Sequence, residues 1–259
     1  MQTDSQNLRL WETGDQIQAV AMLQMPWSAL DYAYHPGVEH LVPAIFDWAV
    51  ERAAAAARQN GSEFTLVLYI PPARASHTVH ALARGFRLED DWTIVHLSRS
   101  LVEPVVVPEL PAGFAFRPLR GDSEVEAYVR LHQAAFDSTM MRLGWRARTL
   151  TMPMYRPELD LFIVNDDDQP VAFCIGWVHP DGTAGQIEPL GVHPDYQRLG
   201  LGKAVLLEGL RRLQAGGVAR ALIDSYKSND PALMLYQTAD NGNFRPEYEK
   251  TAYVRTFTP

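Results

Sequence analysis

Residues 186–212, QIEPLGVHPDYQRLGLGKAVLLEGLRR, constrain the fold more than any other stretch of this chain. They read as a strand, a short loop and a helix that opens at a pair of glycines. Ile187, Leu190 and Val192 are apolar, and His193-Pro194 ends the strand. Beyond Gly202, Ala204, Val205, Leu207 and Leu210 recur at helical spacing, with Arg211 and Arg212 in a late turn where cations suit the helix dipole. Between strand and helix, Gln197, Arg198, Leu199, Gly200, Leu201, Gly202 and Lys203 place backbone N–H groups at a helix N-terminus. Glycine lacks the Cβ that would hold a bulky anion away, so a pyrophosphate can rest directly on those donors. The stretch is an anion cradle, and a second strand at residues 221–225 makes it part of a strand–helix–strand unit.

Composition narrows the class. A chain of 259 residues forms one large domain or two small ones, and 47 % hydrophobic content is ample for a packed core. No run of eighteen apolar residues reaches the length of a membrane span. The polar opening residues do not read as a signal peptide. A lone cysteine, Cys174, lies in an apolar run, which excludes a disulfide framework and leads to the expectation of a reducing cytoplasm. The net charge of −8 argues against a nucleic-acid partner and is compatible with a cationic amine.

Taken in order, residues 8–11 and 18–25 read as strands joined at Gly14-Asp15, and residues 27–34 as a third. Residues 39–60 read as a helix stopped by Gly61, 64–70 as a strand, 76–84 as a short helix, and 87–100 as one or two strands. Pro104, Pro108 and Pro111 mark a stiff extended linker. The expected division is therefore a first lobe at 1–103, a linker at 104–111 and a complete second lobe at 112–259. In the second lobe, residues 122–136 and 146–155 read as helices, and 161–164 with 171–178 as a hairpin around Asp166, Asp167 and Asp168. His132 falls on an apolar helix face as a satisfied core histidine, and the three aspartates read as a solvated hairpin tip rather than a metal site. A helix at Tyr236 and a closing strand at 251–257 complete the lobe. The order of elements from His35-Pro36 to Phe86 repeats from His193-Pro194 to Phe244 at a constant offset of 158 residues (193 − 35 and 244 − 86). At that offset Val42 and Ala44 stand where the cradle has Gly200 and Gly202, Pro43 faces Leu201, and Thr78 faces Tyr236. The first lobe reads as a truncated, degenerate copy of the second.

The cradle Gln197-Arg198-Leu199-Gly200-Leu201-Gly202, followed by Asn229-Asp-Pro-Ala232-Leu-Met-Leu235-Tyr236, resembles the signature of the GCN5-related N-acetyltransferase (GNAT) superfamily. The likeness runs from about residue 113 to the C-terminus, and tandem members of the superfamily share the two-lobe outline. It implies an α/β (α+β) acetyltransferase fold, a mixed central sheet flanked by helices, in two tandem lobes. It also implies transfer of acetyl from acetyl-CoA to an amine of a small molecule or peptide, by direct attack in a ternary complex. Neither a metal nor a membrane is expected to take part, and the oligomeric state, monomer or homodimer, stays open.

By the same resemblance the cradle residues 197–203 hold the pyrophosphate, with Arg198 and Lys203 adding charge, and Asn229 contacts the cofactor or simply caps its helix. The backbone of Leu190, Gly191 and Val192 would pair with the pantetheine arm where two strands splay apart. Tyr236 matches the general acid. Many members carry a glutamate at the position of Gln186; Glu188, two residues on and so on the same strand face, is the candidate base. A water relay, an arginine-paired Glu188, or Asp224 as a weaker base stay open. The rival reading is a catalytically silent acyl-CoA-binding or regulatory module.

Overall fold

The computed structural model describes residues 5–239 and 243–259. The chain divides into two compact units, and neither is a single run of sequence. One, the companion unit, runs up to Val95 and adds Tyr226–Ser228 and Tyr248–Pro259. The other, the cradle unit, holds His96–Ser225 and Asn229–Glu247.

In the companion unit, β1 (Leu8–Thr13), β2 (Gln16–Gln24) and β3 (Ala29–Tyr34) form an antiparallel meander. Strand β4 (Phe64–Ile70) joins β3 in parallel at Ala29↔Val67, and the C-terminal strand β12 (Arg245–Phe257) lies antiparallel to β4 from Thr251↔Ile70 to Phe257↔Phe64. Helix α1 (Val42–Asn60) owes its length to the Ala53–Ala57 run and its end to Gly61, which turns left-handed at φ 62°. Its buried stripe of Ile45, Phe46, Ala49, Ala53 and Ala56 recurs at helical spacing and meets Leu66 and Leu68 of β4. Helix α2 (His77–Ala83) and the short strand β5 (Arg87–Leu88), paired on β12, complete this unit.

In the cradle unit, β7 (Phe114–Pro118), β8 (Asp160–Asn165), β9 (Pro170–Val178) and β10 (Ala184–Val192) run antiparallel in that order. Strand β11 (Arg220–Tyr226) adds in parallel to β10, and β6 (Ile94–Ser100) lies beyond β11. One face carries α3 (Val125–Phe136) and α4 (Leu143–Leu150), whose Tyr128, Val129 and Leu131 pack with Phe162, Phe173 and Ile175. The other carries α5 (Leu201–Ala215), set so close that a Cβ on Gly209 would stand 3.0 Å from Cys174 Sγ and Ile187 Cδ1. Helix α6 (Asp230–Thr238) precedes β12.

Most element positions follow the sequence expectations, with informative shifts. Helix α4 begins at Leu143 and ends at Leu150, rather than running 146–155. Gly144 disguises its start, while Pro153 prevents extension. Its register carries Arg146, 1 % exposed, onto the fully buried Asp160, which also accepts from Tyr155 Oη at 2.7 Å. Strand β12 starts at Arg245, six residues before its expected start at 251. His132 is not a satisfied core histidine: its Nδ1 is buried without a hydrogen-bond partner, and burial, helped by Arg146, pushes its pKa down to about 4. The hairpin tip is partly bound, because Asp168 accepts from Arg117 Nε at 2.8 Å and pairs with Arg120. Cys174 is fully buried, its thiol pushed up by burial and donating to the Val205 carbonyl.

Candidate active site

The site grows from an interrupted pairing in the sheet. Strands β10 and β11 pair at Ala184↔Arg220, Gly185↔Ala221 and Gln186↔Leu222, and there the ladder stops although both strands continue. Past that point Leu190, Gly191 and Val192 remain paired on their other side with Cys174, Phe173 and Ala172 of β9. The register slips between Ile187 and Leu190, at the cis Glu188–Pro189 bond. Pro189 has no N–H to give a ladder, which suits it to this break. The Trp177 indole donates to the Glu188 carbonyl at 2.7 Å and ties the irregular turn of backbone to β9. The result is a gap with a strand edge along it, where Leu190, Gly191 and Val192 carry amide groups suited to an extended amide chain.

At the open end of this gap the cradle takes shape. Arg198 and Gly200 both adopt positive φ, 62° and 80°, and Gly200 is the N-cap of α5. Glycine takes that left-handed conformation without steric cost. The first helical bond runs from Ala204 N to Gly200 O at 3.0 Å, so the N–H groups of Leu201, Gly202 and Lys203 precede the ladder and face outward from the helix end. Gln197 Nε2 reaches back to the Val192 carbonyl at 3.5 Å. Arg198, Leu199 and Lys203 are exposed around the loop.

Helix α6 closes the other side. Asn229 Oδ1 accepts from Ala232 N at 3.2 Å, so this asparagine is the helix N-cap. Leu235 Cδ2 lies 3.6 Å from where a Cβ on Gly202 would sit, which sets α6 directly beside the cradle. Tyr236, next in sequence, is 7 % exposed and packs near Phe244, 6.4 Å between ring centroids. Burial first, and the charge of Glu188 second, push its phenol up to about 12. Glu188 is exposed, and its Oε2 accepts from Gln186 Nε2 at 2.6 Å.

The candidate residues therefore gather at one end of one sheet. Sequence reasoning missed Trp177 and the supporting role of Gln186, because a strand tryptophan and a strand glutamine carry no local signal. It also missed the pairing of Asp224 with His96, at 2.5 Å between Oδ1 and Nδ1. The two residues are 128 apart in sequence, and only the neighbouring of β6 and β11 joins them.

The companion unit has the same interruption with different side chains beside it. Strands β3 and β4 pair at Ala29↔Val67 and then part. Tyr32 and Tyr34 project from β3, and their hydroxyls meet the two ring nitrogens of His77, at 2.7 Å to Nδ1 and 3.1 Å to Nε2. The Arg74 guanidinium covers both phenol rings at 5.0 and 5.1 Å. Burial pushes Tyr32 up to about 12 and the His77 pKa down. Helix α1 opens on Leu41 in ordinary right-handed backbone, φ −79°, followed by Val42, Pro43 and Ala44.

A splayed parallel pair with a helix N-terminus at its mouth and a tyrosine helix alongside defines an acyl-CoA-type transferase fold. Residues 123–240 match the Acetyltransferase (GNAT) family. The chain is 32 % identical over 184 residues to a mycothiol acetyltransferase of Segniliparus rotundus, covering 68 % of each protein. It is 30 % identical over 205 residues to one of Frankia alni, covering 71 % of this chain and 62 % of that one. Among solved structures it superposes on a GCN5-related N-acetyltransferase of Sphaerobacter thermophilus with a TM-score of 0.76 and 20 % identity, over 98 % of this chain and 82 % of that one. A tandem GNAT protein from the clavulanic acid biosynthesis pathway gives 0.70 and 16 %, over 98 % and 84 %. The chain belongs to the GNAT family of acetyltransferases, in its tandem form. Among the described residues no helix is long and apolar enough to cross a membrane, and no group of three or more His, Cys, Asp or Glu is placed to hold a metal ion.

Proposed function

We propose that the chain transfers acetyl from acetyl-CoA to the amine of a small molecule, by direct attack in a ternary complex. In functional terms, residues 112–259 carry the site residues, 104–111 link and 1–103 form a degenerate lobe. In the fold, the cradle unit also takes in β6 and residues 104–111, and the companion unit most of β12. The observation that carries this reading is the gap after Gln186↔Leu222, with the cradle at its mouth and Glu188 and Tyr236 beside it. The residues present fit acetyl-CoA: outward N–H groups of Leu201, Gly202 and Lys203 suit a pyrophosphate, and the Leu190–Gly191–Val192 edge suits pantetheine amides. Arg198 and Lys203 add positive charge at the same end. Asn229 acts on the site by fixing the start of α6. Acetyl-CoA supplies the activated thioester; the chain supplies orientation and two proton positions.

Glu188 takes the proton of the acceptor ammonium, its carboxylate held by Gln186. Tyr236 gives its proton to the departing thiolate and is restored by the second proton that the nitrogen loses as the amide forms. A phenol near 12 is a poor donor to a thiol of ordinary pKa about 8.5, so the coupling between the two residues matters. Part of what raises Tyr236 is the Glu188 charge, and that part disappears once Glu188 is protonated. Proton arrival at the base thus strengthens the acid. The relatives named mycothiol acetyltransferase favour a small-molecule acceptor, and the buried free Cys174 suits a reducing cytoplasm. Calorimetric titration with CoA, followed by a free-thiol assay across amines that includes the acceptor of mycothiol acetyltransferases, tests the proposal. One CoA per chain and amine-dependent thiol release are expected. A chain that binds no CoA, or binds it without turnover of any amine, sinks it.

A further inference from the structure

A cleft of about 400 Å³ opens at the C-terminal end of α5, bordered by the end of β9 and the segment that leads into β8. All the residues that line it belong to the cradle unit. Leu159, Val178, Leu213 and Val218, each at most 5 % exposed, form its apolar wall. The 15 residues of α5 put roughly 22 Å between this cleft and the cradle at the other end of the helix. The helix is also cut short here. At the offset of 158, Asn60, the last residue of α1, stands opposite Val218, yet α5 stops at Ala215. Gly217 turns left-handed at φ 82°, so Gly216 and Val218 border the cleft instead of extending the helix.

Three charged side chains line the same cleft: Arg156, Glu158 and Arg212. Arg212 is held in place, its Nε donating to Glu208 at 2.9 Å and its Nη1 to the Glu158 carbonyl at 2.7 Å. Arg156 and Glu158 are exposed and stand two residues apart, so their Cα atoms are at most about 7 Å from each other. Among the described residues, neither the Arg156 guanidinium nor the Glu158 carboxylate has an ion pair or a hydrogen bond. Two opposite charges thus share the rim of an apolar cleft without neutralising each other.

These groups select the charge of a ligand. A plain anion would meet the Glu158 carboxylate and the negative end of the α5 dipole. A plain cation would meet Arg156 and Arg212. A ligand with both charges a short distance apart escapes both conflicts: its carboxylate pairs with Arg156 and its ammonium with Glu158. An apolar group on the same molecule covers the wall of Leu159, Val178, Leu213 and Val218. We propose that this cleft binds a free amino acid with an apolar side chain. The site lies away from the acetyl-transfer residues and does not depend on that reading.

The test uses the full chain without CoA, with the methyl resonances of Val178 and Val218 assigned by their loss in Val178→Ala and Val218→Ala. L-Leucine and L-phenylalanine are titrated, each beside its deaminated acid and its decarboxylated amine. Both valine signals are expected to move saturably with one or both amino acids. The affinity should be at least about threefold above that for the matching acid and amine, the scale of an exposed ion pair. Arg156→Gln and Glu158→Gln should each remove that advantage and leave the melting temperature by circular dichroism unchanged. Signals unmoved by either amino acid, an acid or amine that binds as well as its amino acid, or an advantage kept in both variants overturns the site.

Discussion

The two units hold the same interrupted parallel pair and treat it in opposite ways. In the companion unit the side chains beside the parting of β3 and β4 bind one another: Tyr32 and Tyr34 meet both nitrogens of a buried His77, and Arg74 covers the rings. Its lips carry Leu30 and Leu66, and its helix opens on Val42, Pro43 and Ala44. In the cradle unit the corresponding positions are Glu188, Asp224, Gly200, Leu201 and Gly202. A splay in a sheet leaves amide groups to be satisfied, which in the cradle unit suits an amide-rich ligand. The companion unit shows that splaying is a property of the fold, whereas what occupies the splay is a property of about half a dozen side chains.

The largest test of the comparison is to separate the units. A fragment of residues 104–259 lacks β6, which belongs to the cradle unit, and lacks β4, the partner of β12. We expect it to lose cooperative unfolding in a circular-dichroism melt and to bind no CoA; a sharp melt with CoA binding would show that the cradle unit needs neither strand. Next in size is the acid. Tyr236→Phe should lower kcat roughly 10²- to 10⁴-fold with CoA affinity unchanged, and a near-normal rate would make Tyr236 a core residue only.

The cradle comes third. Gly202→Val places a Cβ 3.4 Å from Val192 Cγ2 and 3.6 Å from Leu235 Cδ2, ordinary contacts, while its methyls crowd the N–H donors. Losing one charge-assisted hydrogen bond, worth roughly 1.5–3 kcal/mol, should weaken CoA binding roughly 10- to 100-fold by calorimetry. The reverse change, Val42→Gly with Ala44→Gly, should leave one CoA per chain, because Pro43 still lacks one N–H donor and Leu30 and Leu66 still stand where the cradle unit has Glu188 and Asp224. A second equivalent bound would show that the glycines alone distinguish the units.

The smallest effect concerns His132. Its folded pKa lies below its unfolded value near 6.5, so stability is complete above that value and declines as pH falls through about 4. The slope is at most about 1.4 kcal/mol per pH unit, less what solvent screening removes from a part-buried ring. His132→Phe should flatten the fall in Tm between pH 7 and 4.5. Equal losses in both proteins would assign the acid sensitivity elsewhere, for example to the buried Arg146–Asp160 pair.

By itself the sequence determined the strand–cradle–helix at 186–212, the Asn229-to-Tyr236 helix and the internal repeat, because each depends on residues close together in the chain. Glycine spacing, helical periodicity and an N-capping asparagine act through local backbone geometry, so they are legible in one dimension. Tertiary packing also bears on element bounds, as where burial of Arg146 against Asp160 fits the register of α4. Tertiary structure alone decided which strand completes which sheet. It drew β6 to β11 and β12 to β4, so that the companion unit takes a strand from the far end of the chain. It also decided that His96 meets Asp224 and that His77 meets Tyr32 and Tyr34. Those contacts join residues scores of positions apart, and such pairs are chosen by the geometry of the completed sheet, which no local pattern encodes.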